Sequence, residues 1–311
     1  PLLFAWLVFS VYQEITAQKD LPVYLHLLYK SIDNAAFLLL LLIVLLMLMQ
    51  WMLEAVKWQL LLQQFINLPI AKALMMIFTG ISFSIATPNR FGEFVGRILH
   101  LPQDLRLQAT GYTFISNFAQ LIVTCIAGSI GLQLIASNHF SVSLPTIEVL
   151  VLMVKWFAPI FTILFLFIYF KAGLFFSWVA QIKILQRWQD KLVQLSTLSP
   201  ALLSKVLFYS LLRYAIILVQ YWLIFQVIGV EVDLWQTSLA ISIMLFVLSI
   251  VPTISLVELG LRWQISILVF APFTANVFGL TMGVTLIWGL NMILPAGIGA
   301  LLMLTYRHSE K

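Results

Sequence analysis

The chain reads as long apolar runs cut by a few short polar words. A helix that crosses a bilayer needs about 20 consecutive apolar residues. Residues 34–53, 111–136, 149–170, 203–228 and 277–304 meet that requirement, and residues 1–13 read as the rest of another span, so the N-terminus is expected to be truncated. Two stretches do not fit as simple spans. Residues 73–99 are interrupted at Thr87-Pro88, and residues 236–271 are too long for one helix and are interrupted at Pro252. Between the halves, Trp178, Ile182, Leu185, Trp188, Leu192 and Leu195 recur at helical spacing. Lys183, Arg187, Asp190 and Lys191 fall largely elsewhere, which predicts an amphipathic helix over 176–196 on the inner membrane surface.

Loop charges orient these elements, because Lys and Arg accumulate on the cytoplasmic side. Residues 171–205 carry Lys171, Lys183, Arg187, Lys191 and Lys205 and are read as cytoplasmic; 137–148 and 229–235 lack basic residues and are read as external. Lys57 and Lys72 place 54–72 inside, and Arg307 and Lys311 place the C-terminus inside. Segment 73–110 must then begin and end inside, and 236–271 must begin and end outside. The expected architecture is an all-α integral membrane protein. It has about six full transmembrane helices plus two oppositely oriented re-entrant broken-helix hairpins, arranged as an inverted repeat.

Composition agrees with a bilayer as solvent: 62% of residues are hydrophobic and 9% charged, against about a quarter charged in globular proteins. The net charge of +5 reflects loops rather than nucleic-acid binding, since no basic domain or RNA-binding signature accompanies it. Cys125 is the single cysteine, and the four histidines lack metal-ligand spacing, so neither an internal disulfide nor a metal or cofactor is expected.

The two interruptions resemble each other. Pro88-Asn-Arg-Phe-Gly-Glu-Phe-Val-Gly-Arg97 and Pro252-Thr-Ile-Ser-Leu-Val-Glu-Leu-Gly-Leu-Arg262 each run from a proline to a glutamate, then to an arginine four residues on. Ionised groups in hydrocarbon cost about 2.5–3.5 kcal/mol each on insertion scales, so a repeated charged pattern suggests one site built from both halves. A helix starting at Pro88, capped by Thr87, would place Arg90, Glu93 and Arg97 on one face, with Gly92 and Gly96 allowing close packing beside them. Ser255, Glu258 and Arg262 have the same spacing, with Gly260 as the small residue. The arginines suit a phosphate-bearing head group. The alternative is that Glu93–Arg97 and Glu258–Arg262 are i,i+4 ion pairs that neutralise each other. Arg213 and Asn117 lie within spans and are further substrate-binding candidates, weighed against snorkelling and interhelical hydrogen bonding respectively.

The first word, from Thr87 and followed by Ile98-Leu99-His100-Leu101, resembles the "P-G-R-x-G-E-x-x-R" motif of the lysylphosphatidylglycerol synthase transmembrane region, also called the flippase-like domain family. Glu54-Ala-Val-Lys-Trp-Gln-Leu-Leu-Leu is similar to that family's "alRW-x-x-LL" helix end. The second word resembles its "P-x-x-x-G-G-x-G-x-x-E" motif without the glycine pair. The resemblance covers essentially the whole chain and implies a single domain over 1–311. Its first half would be 1–170 with the motif at 87–97, its connector 171–202, and its second half 203–311 with the motif at 252–262. The implied activity is movement of lipids between leaflets of a bacterial cytoplasmic membrane. The chain stops at Lys311, so a member without the synthase domain is expected. The partners expected are membrane lipids with an anionic or phosphate-bearing head group, a second copy of the chain, or a separate lipid-synthesising enzyme. A non-catalytic subunit of an envelope lipid or glycan assembly pathway is the alternative. An intramembrane lipid-modifying enzyme is disfavoured for want of a serine–histidine or metal constellation.

Overall fold

A computed structural model describes residues 34–85, 87, 90–136, 145–182, 198–253 and 255–309. The described residues are mostly helical. The helices are α1 (Asn34–Leu62), α2 (Ile70–Ser84), α3 (Gly92–Ile98), α4 (Arg106–Ala136), α5 (Pro145–Phe170), α6 (Ala172–Ala180), α7 (Pro200–Ile228), α8 (Leu234–Ile250), α9 (Ser255–Phe270) and α10 (Val277–Trp288). A π-helical turn (Gly289–Ile293) then leads into α11 (Leu294–Ser309).

Local chemistry explains several boundaries. Ser199 accepts from the Leu202 amide with Pro200 in the first turn, and Gly229 closes α7 at φ 77°, a left-handed position that glycine takes without steric cost. Asp233 and Gln236 form a reciprocal capping box at the start of α8. Asn276 accepts from the Gly279 amide to open α10.

Among the described residues, α1, α4, α7 and the run from α10 through α11 are long and apolar enough to cross a membrane. The pair α5–α6, bent by 71°, makes a fifth candidate. The remnant span expected at 1–13 and the amphipathic helix expected at 176–196 fall wholly or mostly outside the described residues; of the latter, only the end of the apolar α6 is described. Phe37, Leu38, Leu45 and Met49 on α1, and Trp156, Phe157, Ile160, Ile163 and Phe167 on α5, are exposed. Patches of that size are tolerated where lipid covers them.

The broken stretches take a definite form. α3 folds back antiparallel to α2, so that Gly92 lies against the Phe83 carbonyl and Gly96 against Gly80. A Cβ on Gly96 would stand 2.6 Å from the Gly80 Cα and 2.7 Å from the Thr79 carbonyl oxygen. These glycines therefore set the distance between the two arms. α8 likewise packs on α9. At 15 and 17 residues, α2 and α8 are shorter than a full crossing requires.

The helices pack in a reciprocal pattern. α1 lies along α7, α2 packs on α11, and α8 packs on α4. α4 is the most enclosed of the candidate spans.

Two expectations need correction. The helix does not begin at Pro88 but at Gly92, and Arg90 stands before it with φ 58°, the only non-glycine residue at positive φ among those described. Arg90 is therefore not on the helical face that carries Glu93 and Arg97. Thr87 still caps, its hydroxyl accepting from the Gly92 amide at 2.7 Å. Second, Lys57 is not a loop charge. It sits within α1 with 1% of its side chain exposed, so it carries no information about which side of the membrane 54–72 occupies.

Candidate functional site in the interior

Glu54, in the second half of α1, organises the first charge cluster. Its carboxylate is 1% exposed and receives Lys57 Nζ at 2.7 Å, Arg97 Nη2 at 2.9 Å and Arg213 Nη1 at 3.2 Å. The Ser116 hydroxyl of α4 donates to it at 3.2 Å. Lys57 also donates to the Ser116 carbonyl and the Ser210 hydroxyl. Arg97 pairs in addition with Glu93, one turn earlier on α3. The Arg213 guanidinium lies 4.7 Å from the centre of the Trp51 ring, within cation–π range.

Glu258 organises the second cluster. Arg262, four residues later on α9, donates through Nε at 3.1 Å and Nη2 at 2.5 Å, and its Nη1 reaches the Tyr221 hydroxyl of α7 at 3.1 Å. Arg90 Nη2 donates to both carboxylate oxygens, at 3.2 and 3.4 Å.

The two clusters correspond. In each, a Glu–Arg pair at i,i+4 is anchored to a long helix that precedes it in the chain: Arg97 to Glu54 on α1, and Arg262 to Tyr221 on α7. Each half also lends one arginine to the other. Arg90, from the first half, serves Glu258, and Arg213, from the second half, serves Glu54. Both i,i+4 pairs that the sequence offered as mutual neutralisers are formed, but each is only part of a larger cluster. Together the six ion pairs join five cations (Lys57, Arg90, Arg97, Arg213, Arg262) to three carboxylates (Glu54, Glu93, Glu258), a surplus of two positive charges.

Between the clusters is a cavity of about 520 Å³, within the size range of small-molecule sites. Arg90, Glu93, Asn117, Arg213, Glu258 and Arg262 line it, as do Pro252 and the apolar side chains Leu121, Ile217, Leu245 and Leu248. Arg97 does not line it; at 1% exposure it stands behind Glu93 as an internal brace. Gly92 and Gly96 pack against α2, and Gly260 is buried within α9. Ser255 opens α9, while its side chain and Pro88 lie outside what the structure describes. Several polar atoms on lining residues are buried without a hydrogen-bond partner: the indole N–H groups of Trp51 and Trp288, Nε of Arg213, and the side-chain oxygens of Gln50 and Gln120.

Sequence reasoning passed over Glu54, the carboxylate with the most cationic partners. Its signal was present: Glu54 and Lys57 follow an apolar run with no helix breaker between, so both belong to the same helix and share its depth. Gln50 was also missed. Its Nε2 donates to Asn291 at 2.5 Å, and Asn291 Nδ2 donates to Gln220 at 3.0 Å, which ties α1 and α7 to the π turn.

The long apolar helices, with a charged cavity between them, define a multi-pass membrane protein. The chain belongs to the lysylphosphatidylglycerol synthase TM region family, which it matches over residues 21–290. Its function is therefore lipid-related. No curated protein and no solved structure matches the chain.

Proposed function

We infer that the protein is a lipid translocase that moves a phosphate-bearing lipid between the leaflets of the cytoplasmic membrane. The observation that carries this reading is the exchange of Arg90 and Arg213 between the halves around a shared cavity. A head group cannot cross hydrocarbon without its solvation being replaced, and a chamber walled by arginines, glutamates and carboxamides replaces it. Acyl tails need no such chamber and stay in lipid.

The same exchange supports an inverted repeat with re-entrant hairpins. A two-fold relation generates reciprocal contacts, and here α2 with α11 mirrors α8 with α4, while α1 with α7 lies on the axis. α2–α3 and α8–α9 are the broken hairpins in this reading. Alternating access is a tilt of one repeat against the other about the α1–α7 seam. The work asked of the site is binding and release, with no covalent change to the lipid.

The test uses purified protein in vesicles with head-group-labelled lipid and a membrane-impermeant quencher. The expected result is label protected in protein-free vesicles and exposed when the protein is present, with exposure lost in R213Q. Protection unchanged by wild-type protein would overturn the reading.

A further inference from the structure

Each charge cluster holds one more cation than carboxylate. In the first, Lys57, Arg97 and Arg213 face Glu54 and Glu93; in the second, Arg90 and Arg262 face Glu258. Within each, the most exposed cation is the arginine lent by the other half: Arg213 at 16% and Arg90 at 45%, against 1% for Arg97 and 10% for Arg262. Both line the cavity. The uncompensated charge of each half is thus presented to one shared space.

Arg213 spends only Nη1 on Glu54, and Arg90 only Nη2 on Glu258. Surplus positive charge on two cavity-lining arginines calls for a negatively charged ligand rich in acceptors. Guanidinium meets a phosphate with paired, charge-assisted hydrogen bonds. Leu121, Ile217, Leu245 and Leu248 in the same wall favour a phosphate that carries an apolar body.

We propose that Arg213 and Arg90, one from each half, form the phosphate-binding pair of the cavity and select anionic over zwitterionic phospholipids. This rests on the cavity being the lipid passage and adds which residues read the cargo and what charge they require. Arg97 is not part of the pair, because it does not line the cavity; its Nη2 is held by Glu54 and Glu93. Glu258 keeps Arg262 when Arg90 turns to a ligand, so the exchange leaves no bare carboxylate.

The experiment measures lipid retention rather than transport. The purified chain is equilibrated in detergent with phosphatidylglycerol, phosphatidic acid or phosphatidylcholine, and bound lipid is counted by native mass spectrometry. The two anionic lipids are expected to be retained about tenfold over phosphatidylcholine, and R213Q and R90Q are each expected to remove that preference. Equal retention of all three lipids, or a preference intact in R90Q, overturns the pair. R90Q keeps the test sound if R213Q unfolds, since it leaves Glu258 paired with Arg262. Inorganic phosphate and glycerol phosphate at millimolar concentration are added as competitors. Displacement as complete as that by lipid would mean a free-phosphate site and would also overturn the proposal. Selective retention without vesicle transport would sink the translocase reading and leave the pair standing; transport without selectivity would do the reverse.

Discussion

Arg90 and Glu258 meet across the cavity although 168 residues separate them, with the arginine Nη2 shared between both carboxylate oxygens. The contact joins the first polar word to the second, so the two interruptions form one site. It is also asymmetric in burial: the Arg90 side chain is 45% exposed and the Glu258 side chain 11%.

That asymmetry predicts unequal costs of removal. R90Q gives up a partly solvated pair and leaves Glu258 compensated by Arg262, so stability should change by no more than about 1 kcal/mol. Glu258→Ala leaves the buried Arg262 with no carboxylate, only the Tyr221 hydroxyl, and should cost about 3–5 kcal/mol. Thermal unfolding of both variants in one detergent checks the ordering, and equal losses would refute it.

Glu54→Ala should be as damaging as Glu258→Ala. It leaves Lys57, Arg97 and Arg213 close together around a void, with Glu93 the one remaining carboxylate of that cluster. A loss of about 3–5 kcal/mol is expected from an uncompensated buried charge. Adding K57M should restore part of it, because the double variant removes a cation along with the carboxylate. A double variant no more stable than E54A would show that Lys57 finds other compensation.

Gly96→Ala tests the hairpin itself. The new methyl group would meet backbone at 2.6–2.8 Å, where no side chain can swing away. α3 must shift from α2, at a cost of about 1–3 kcal/mol, and it carries Glu93 and Arg97 with it. The expected outcome is a destabilised protein with strongly reduced lipid retention. Gly289→Ala, which meets nothing within 4 Å, serves as the comparison and should leave stability nearly unchanged.

Asn291→Leu should cost about 1–3 kcal/mol, the usual penalty for stranding buried polar groups. Gln50 Nε2 would lose its acceptor and Gln220 Oε1 its donor. Chemical denaturation checks the magnitude, and a neutral result would mean that the two glutamines re-pair directly.

The sequence by itself determined the solvent, the helical class, the two interruptions and the charged residues at the cavity wall. Apolar run length and the expense of charge in lipid are local properties that survive translation into one dimension. Glu93, Arg213, Glu258 and Arg262 stood out for that reason. Only the tertiary structure decided which charge answers which. Arg97 and Arg90 look alike in sequence, seven residues apart, yet one is sealed between Glu54 and Glu93 while the other stands ahead of the helix at φ 58° and reaches Glu258. Lys57 reads as a loop charge until packing surrounds it. Partner choice depends on how α1 lies along α7 and how α3 folds back on α2. Those distances arise from glycine contacts and interhelical packing between residues far apart in the chain, which no local pattern encodes.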